Sequence, residues 1–177
     1  MSDCSMTSEM VALVDAFGWG LDRMQWLTTN AMKSSFLPFD ERLGHGVRIR
    51  DDISHDADGR ETLGLLAAYV RDRRIPLEVC PSSNVHTGVS PTIREHPIKM
   101  LVDLRFRVTV NTDNRLMSDC SMTSEMAALA DAFGWGLDRM RWLTINAMKS
   151  SFLPFDERLE IIEGVIKKGY LKLGIDG

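Results

Sequence analysis

The sequence predicts an α/β protein built on parallel strands, and three observations carry the prediction. Val47 to Ile49, Pro76 to Val79 and Arg107 to Val110, each with its flanks, are short apolar runs that read as buried strands. Each run ends in a polar cluster: Arg50-Asp51-Asp52, Pro81-Ser82-Ser83-Asn84 and Asn111-Thr112-Asp113-Asn114. Helix-patterned segments separate the runs, and strands alternating with helices imply βαβ units.

Between the first two strands, Glu61 to Arg73 carries Leu65, Leu66, Tyr69 and Val70 at helical spacing. Between the second and third, Thr92 to Leu104 reads as a helix with Pro97 near its start or at a kink. After the third strand the chain turns helical. Ser124 to Phe133 is amphipathic and stops at Gly134; Asp138 is a suitable N-cap for Arg139 to Ser150. Pro154 opens a turn, and Asp156 to Lys168 is expected to end before Gly169.

A repeat sets the domain organisation. Met1 to Leu43 returns as Met117 to Leu159, and only Val11, Val14, Gln25 and Thr29 change, to Ala127, Ala130, Arg141 and Ile145. Two copies of such fidelity indicate a duplicated segment, not an evolved repeat array. The chain therefore divides into 1–43, a duplicated helical pair (about Ser8 to Phe17 and Asp22 to Ser35), and 44–177. The first copy runs through Arg42-Leu43 into Gly44, the second through Arg158-Leu159 into Glu160. The shared Arg-Leu is the expected crossover point of a rearranged or mispredicted gene product.

Composition bounds the function classes. The chain has 177 residues, 44% hydrophobic and 26% charged, which suits one globular domain with a sizeable core. A net charge of -4 gives no basic footprint for nucleic acid or an anionic membrane. The longest apolar stretch, Leu65 to Val70, is far too short to span a bilayer. Cys4, Cys80 and Cys120 are widely spaced and form no CxxC pair, as expected of a reduced, cytoplasmic protein.

Functional groups of a parallel α/β protein gather at the C-terminal ends of its strands. His45 in Gly44-His45-Gly46, the Cys80 to Asn84 loop and the Asp113-Asn114 pair stand there. Singly, each also reads as turn or capping chemistry. A Cys80 or Ser82 nucleophile with His86 as base is a further option, although nothing local forms a nucleophile elbow.

In series the motifs are specific. Gly44-His45-Gly46-Val47-Arg48-Ile49, Leu77-Glu78-Val79-Cys80-Pro81-Ser82-Ser83-Asn84, Val110-Asn111-Thr112-Asp113 and Asn146-Ala147-Met148-Lys149-Ser150-Ser151-Phe152 occur in that order. Together they resemble the C-terminal part of the adenosine deaminase family, zinc hydrolases on a TIM-barrel scaffold, over about Leu43 to Gly177. The resemblance implies a partial (β/α)8 barrel: the last three strands and the helices that follow, preceded by the duplicated helical pair. It implies hydrolytic deamination of adenosine, or a similar purine nucleoside, to inosine by zinc-activated water.

The resemblance also implies roles. His45 is similar to the histidine after the sixth strand, which helps position and polarise the zinc-bound hydroxide. Asp113 is similar to the aspartate after the eighth strand, a zinc ligand that orients the attacking water. Asn114 falls where many members carry a second aspartate that contacts the purine; asparagine can donate or accept there but cannot be an anion. Ser82 and Ser83 lie in the family's Cys-Pro-x-Ser loop, with a supporting role.

The sequence departs from the family in what it lacks. It has no His-x-His pair and no His-Ala-Gly-Glu motif, and its histidines are His45, His55, His86 and His96. A catalytic zinc needs about three protein ligands plus water. The expectation is a chain inactive by itself: a non-catalytic fragment, or the complementing half of a split barrel. Unpaired strands would favour self-association.

Overall fold

A computed structural model of the protein describes residues 42–175. The first copy of the repeat, with its two expected helices, lies outside the described residues.

A three-stranded parallel sheet organises this part of the chain. Its strands are β1 (Leu43–Gly44), β4 (Leu77–Val79) and β5 (Val108–Val110), with β4 in the middle. Leu77 pairs with Leu43 on one side and with Val108 on the other, so the strand ends are level. Leu77, Val79, Val108 and Val110 are buried, as the apolar runs require. α1 (Leu65–Asp72) links the β1 region to β4, and α2 (Pro81–His86) and α3 (Ile98–Asp103) link β4 to β5. Val70 of α1, Leu101 and Val102 of α3, and Phe106 ahead of β5 are fully buried.

The second and third strands form where the apolar runs predicted them. The first forms earlier. Val47–Asp52 is a 3-10 helix, and the strand is the short Leu43–Gly44 segment before it. Gly46 is the reason. Its backbone is left-handed, φ 61°, and a Cβ there would stand 2.7 Å from Leu77 Cδ2. The chain turns at this glycine, and Val47 and Ile49 reach the core from a helical turn.

The segment expected to be helical from Glu61 begins with a hairpin. β2 (Ile53–His55) pairs antiparallel with β3 (Glu61–Leu63) around a turn in which Asp56 Oδ1 accepts from the Asp58 and Arg60 amides. Gly64 then lets the chain pass against the Asp52 carboxylate, where any Cβ would collide. Asp52 Oδ2 accepts from Ala67 N at 2.8 Å and so serves the open N-terminus of α1. The helix expected from Thr92 is confined to α3. Thr92 and Glu95 close a local turn, and Pro97 is the N-cap.

The helical tail follows α4 (Arg115–Ser118). In α5 (Met122–Phe133), Ser121 and Ser124 form a reciprocal capping box, and Gly134 ends the helix at φ 66°. α6 (Leu137–Lys149) begins one residue before Asp138. Its N-cap is Gly136, and Asp138 sits in the first turn, where its charge suits the helix dipole. α7 (Phe155–Ile161), a π turn (Ile162–Ile166) and α8 (Lys167–Lys172) form one continuous helical run. Gly169 lies inside α8, and the left-handed turn that closes the run falls at Gly174. Leu129 of α5 and Leu143 of α6 are fully buried, and both helices pack on β5. No helix among the described residues is long and apolar enough to cross a membrane.

Candidate functional site

Level parallel strands bring distant segments to one edge. His45 directly follows β1. Its amide donates to Glu78 O at 2.9 Å, so the sheet ladder runs into the histidine. Asn111 N likewise donates to Val79 O at 2.8 Å, which carries β5 toward Asp113. His45 and Asp113 both have φ 56°, a left-handed backbone unusual outside glycine. The fold holds both in that conformation, a form of strain that collects at functional sites.

The two side chains meet. His45 Nε2 lies 3.6 Å from Asp113 Oδ2, and each side chain keeps about two-fifths of its surface exposed, at 44% and 41%. Ser83 Oγ donates to the same Oδ2 at 2.6 Å. Asn84 Nδ2 lies 3.2 Å from His45 Nδ1, so neighbouring residues of α2 hold the histidine and the aspartate. Asn114 does not join them. It is the N-cap of α4, and its side chain accepts from Met117 N at 3.1 Å.

Two groups that the sequence did not single out complete the arrangement. Buried His96 places Nε2 3.1 Å from Asn84 Oδ1. Burial, with Arg50 nearby, lowers its pKa to about 4, so it is neutral at physiological pH. Glu125, fully buried on α5, accepts from Ser82 N at 3.2 Å. That bond ties the tail to the start of α2. The only local signals were a histidine before a proline and a glutamate inside a capping sequence, neither distinguishable from ordinary surface residues.

The Cys80, Ser82 and His86 option finds no support in the geometry. Cys80 is the N-cap of α2, while His86 is at its far end with Nδ1 3.4 Å from Ser118 Oγ. Burial, together with the nearby carboxylates of Asp113, Glu125 and Glu78, pushes the Cys80 thiol up to about 12. Such a thiol is a poor nucleophile.

One nitrogen, sulfur or oxygen atom each of His45, Cys80 and Asp113 lie within 4.8 Å of one another. Nitrogen, sulfur and oxygen donors together suit zinc. Cys80 fits poorly, because its Sγ donates to Glu78 O at 3.6 Å and two further carboxylates oppose its ionisation. Asp113 fits as a carboxylate ligand, with His45 beside it. Among the described residues, this set does not complete a three-ligand catalytic zinc site.

The parallel sheet and its strand-end cluster define an α/β protein of the architecture seen in deaminase barrels. Among solved structures it resembles adenine deaminase from Arthrobacter aurescens, with a TM-score of 0.66 at 20% identity over 81% of this chain and 40% of that one. It also resembles the apo N6-methyl-AMP deaminase of Arabidopsis thaliana, with a TM-score of 0.58 at 17% identity over 75% of this chain and 35% of that one. The sequence model of the adenosine deaminase family matches residues 40–168. The chain is 61% identical over 133 residues to adenosine deaminase 1 of Streptomyces coelicolor, covering 75% of the chain and 34% of that protein. It is 53% identical over 169 residues to an adenosine deaminase of Mycobacterium tuberculosis, covering 90% of the chain and 46% of that protein. The chain belongs to the adenosine deaminase family. It spans less than half the length of these relatives.

Proposed function

We propose that this chain carries the sixth, seventh and eighth strand units of a deaminase barrel, from residue 44 onward, and that residues 1–43 are a copied helical tail. The intact site would deaminate adenosine, or a similar purine nucleoside, by hydrolysis with a zinc ion. His45 and Asp113 are this chain's contribution. Asp113 supplies one metal ligand and a hydrogen-bond acceptor for water, while His45 presents an imidazole nitrogen to the same water. Ser83 fixes the carboxylate rotamer. Asn114, already engaged as a helix cap, keeps its amide NH2 to donate toward a purine nitrogen. The observation that carries this reading is the His45–Asp113 contact at the ends of β1 and β5, the two parallel strands that flank β4.

The chain alone is inactive in this reading, because Asp113 and His45 do not hold zinc by themselves. A second reading, complementation, draws on the sheet. Among the described strands, β1 and β5 each pair on one side only, which suits docking of further strands or self-association. The test follows adenosine loss by absorbance with zinc present. The purified chain should show none. Mixed with a family chain that ends before its Gly-His-Gly segment, it should show turnover that Asp113→Ala removes. Turnover by the chain alone that vanishes in Asp113→Ala would overturn inactivity; a silent mixture would sink complementation.

A further inference from the structure

We propose that Asn84 and His96 are positioning residues that set the tautomer of His45 and aim its Nε2–H at Asp113 and the adjoining water position. This deepens the deaminase reading and rests on it for its catalytic meaning, although the tautomer itself is a property of this chain.

The chain of hydrogen bonds has one direction. The Ile98 backbone N–H, which can only donate, points at His96 Nδ1 at 3.0 Å. Nδ1 must therefore hold a lone pair, and the neutral ring carries its proton on Nε2. That N–H faces the amide of Asn84, which has to present its oxygen, 3.1 Å away. The amide nitrogen is thereby turned to His45 Nδ1, 3.2 Å away. An amide NH2 only donates, so His45 Nδ1 accepts. The neutral His45 then holds its proton on Nε2, the nitrogen facing Asp113 Oδ2. Asn84 and His96 are each 2% exposed, so water does not compete for these bonds. An imidazole oriented in this way donates to an oxygen nucleophile or to the oxyanion that forms on attack, and it does not abstract a proton through that nitrogen.

The experiment is nitrogen NMR of the imidazoles in the full chain, at about pH 9, above the usual imidazole range. His45 Nε2 should appear as a pyrrole-type and Nδ1 as a pyridine-type nitrogen. Asn84→Asp replaces the donor by a second acceptor and should reverse the two. His96→Ala frees the amide to rotate and should average them. A wild-type His45 with its proton on Nδ1, or with averaged nitrogens, would overturn the proposal even if neither variant folds. So would a folded Asn84→Asp chain whose His45 is unchanged. In a complemented, active protein, Asn84→Asp should lower kcat about 10- to 100-fold with KM little changed. A KM effect with kcat intact would overturn the catalytic part. Absent turnover in every complemented wild type would sink complementation and leave the tautomer result standing.

Discussion

The strand-end cluster and the helical tail are held by different kinds of contact. In the tail, side-chain bonds mostly join near neighbours, as in Thr144 to Met140 O, Ser150 to Asn146 O and Lys167 to Glu163. In the cluster they join residues far apart in sequence: Ser83 to Asp113, Asn84 to His45, and Ser82 to Glu125. The tail also leaves Phe152, Phe155, Val165 and Leu173 exposed, whereas the cluster buries Ser83, Asn84, His96 and Glu125. Local bonds make helices that a sequence pattern can announce. Long-range polar bonds make a site, and they exist only after the sheet has set its register.

If the two regions are one cooperative unit, damage to the tail must reach the sheet. Leu143→Ala removes a fully buried side chain where α6 packs on β5. The expected loss is roughly 2–5 kcal/mol. In a Trp19→Phe, Trp26→Phe background, where the remaining Trp135 and Trp142 report the tail, urea unfolding followed by tryptophan fluorescence and by circular dichroism should shift together. Separate midpoints would break the comparison into two independent units.

The next effect belongs to the cluster alone. His96 titrates near 4 in the folded chain against 6.5 unfolded. Between those values the unfolded state binds more protons, so stability rises with pH across the window and levels off above it. The two values differ by the equivalent of roughly 3 kcal/mol, which is fully lost below about pH 4. Denaturant midpoints at pH 4.5 and pH 7.5 should show this loss, and His96→Gln should flatten it. A pH dependence unchanged in a folded His96→Gln chain would place its source elsewhere.

Two smaller effects sharpen the contrast. Ser83→Ala removes the donor to Asp113 and should cost about 1 kcal/mol, because the half-exposed carboxylate regains water. Asp138→Asn in the first turn of α6 should cost below about 0.5 kcal/mol and should fade with added salt, a dependence that Ser83→Ala should lack. Equal salt dependence in both variants would erase the distinction between cluster and tail.

The legible parts of the sequence follow the same division. The β4 and β5 runs and the α5 stop at Gly134 were readable, because burial and capping act on consecutive residues. The first strand was misplaced because Gly46 turns the chain beneath Leu77, a constraint set by a residue 31 positions later. The α7–α8 run passed through Gly169 because a glycine within a helix weakens it without ending it. His45, Ser83 and Asp113 stand in recognisable motifs, and Asn84 lies within one. His96 and Glu125 carried no signal, since their partners are 12 and 43 residues away.

Sequence by itself determined the family, the alternation of strand and helix, and the two residues placed at strand ends. Periodicity and motif order are properties of the chain, readable before it folds. Tertiary structure alone decided that His45 meets Asp113, that Asn84 and His96 stand behind the histidine, and that Cys80 is a buried thiol unsuited to attack. Those outcomes depend on distances of about 3 Å between residues gathered at one end of the three-stranded sheet, and the register of the sheet brings them together.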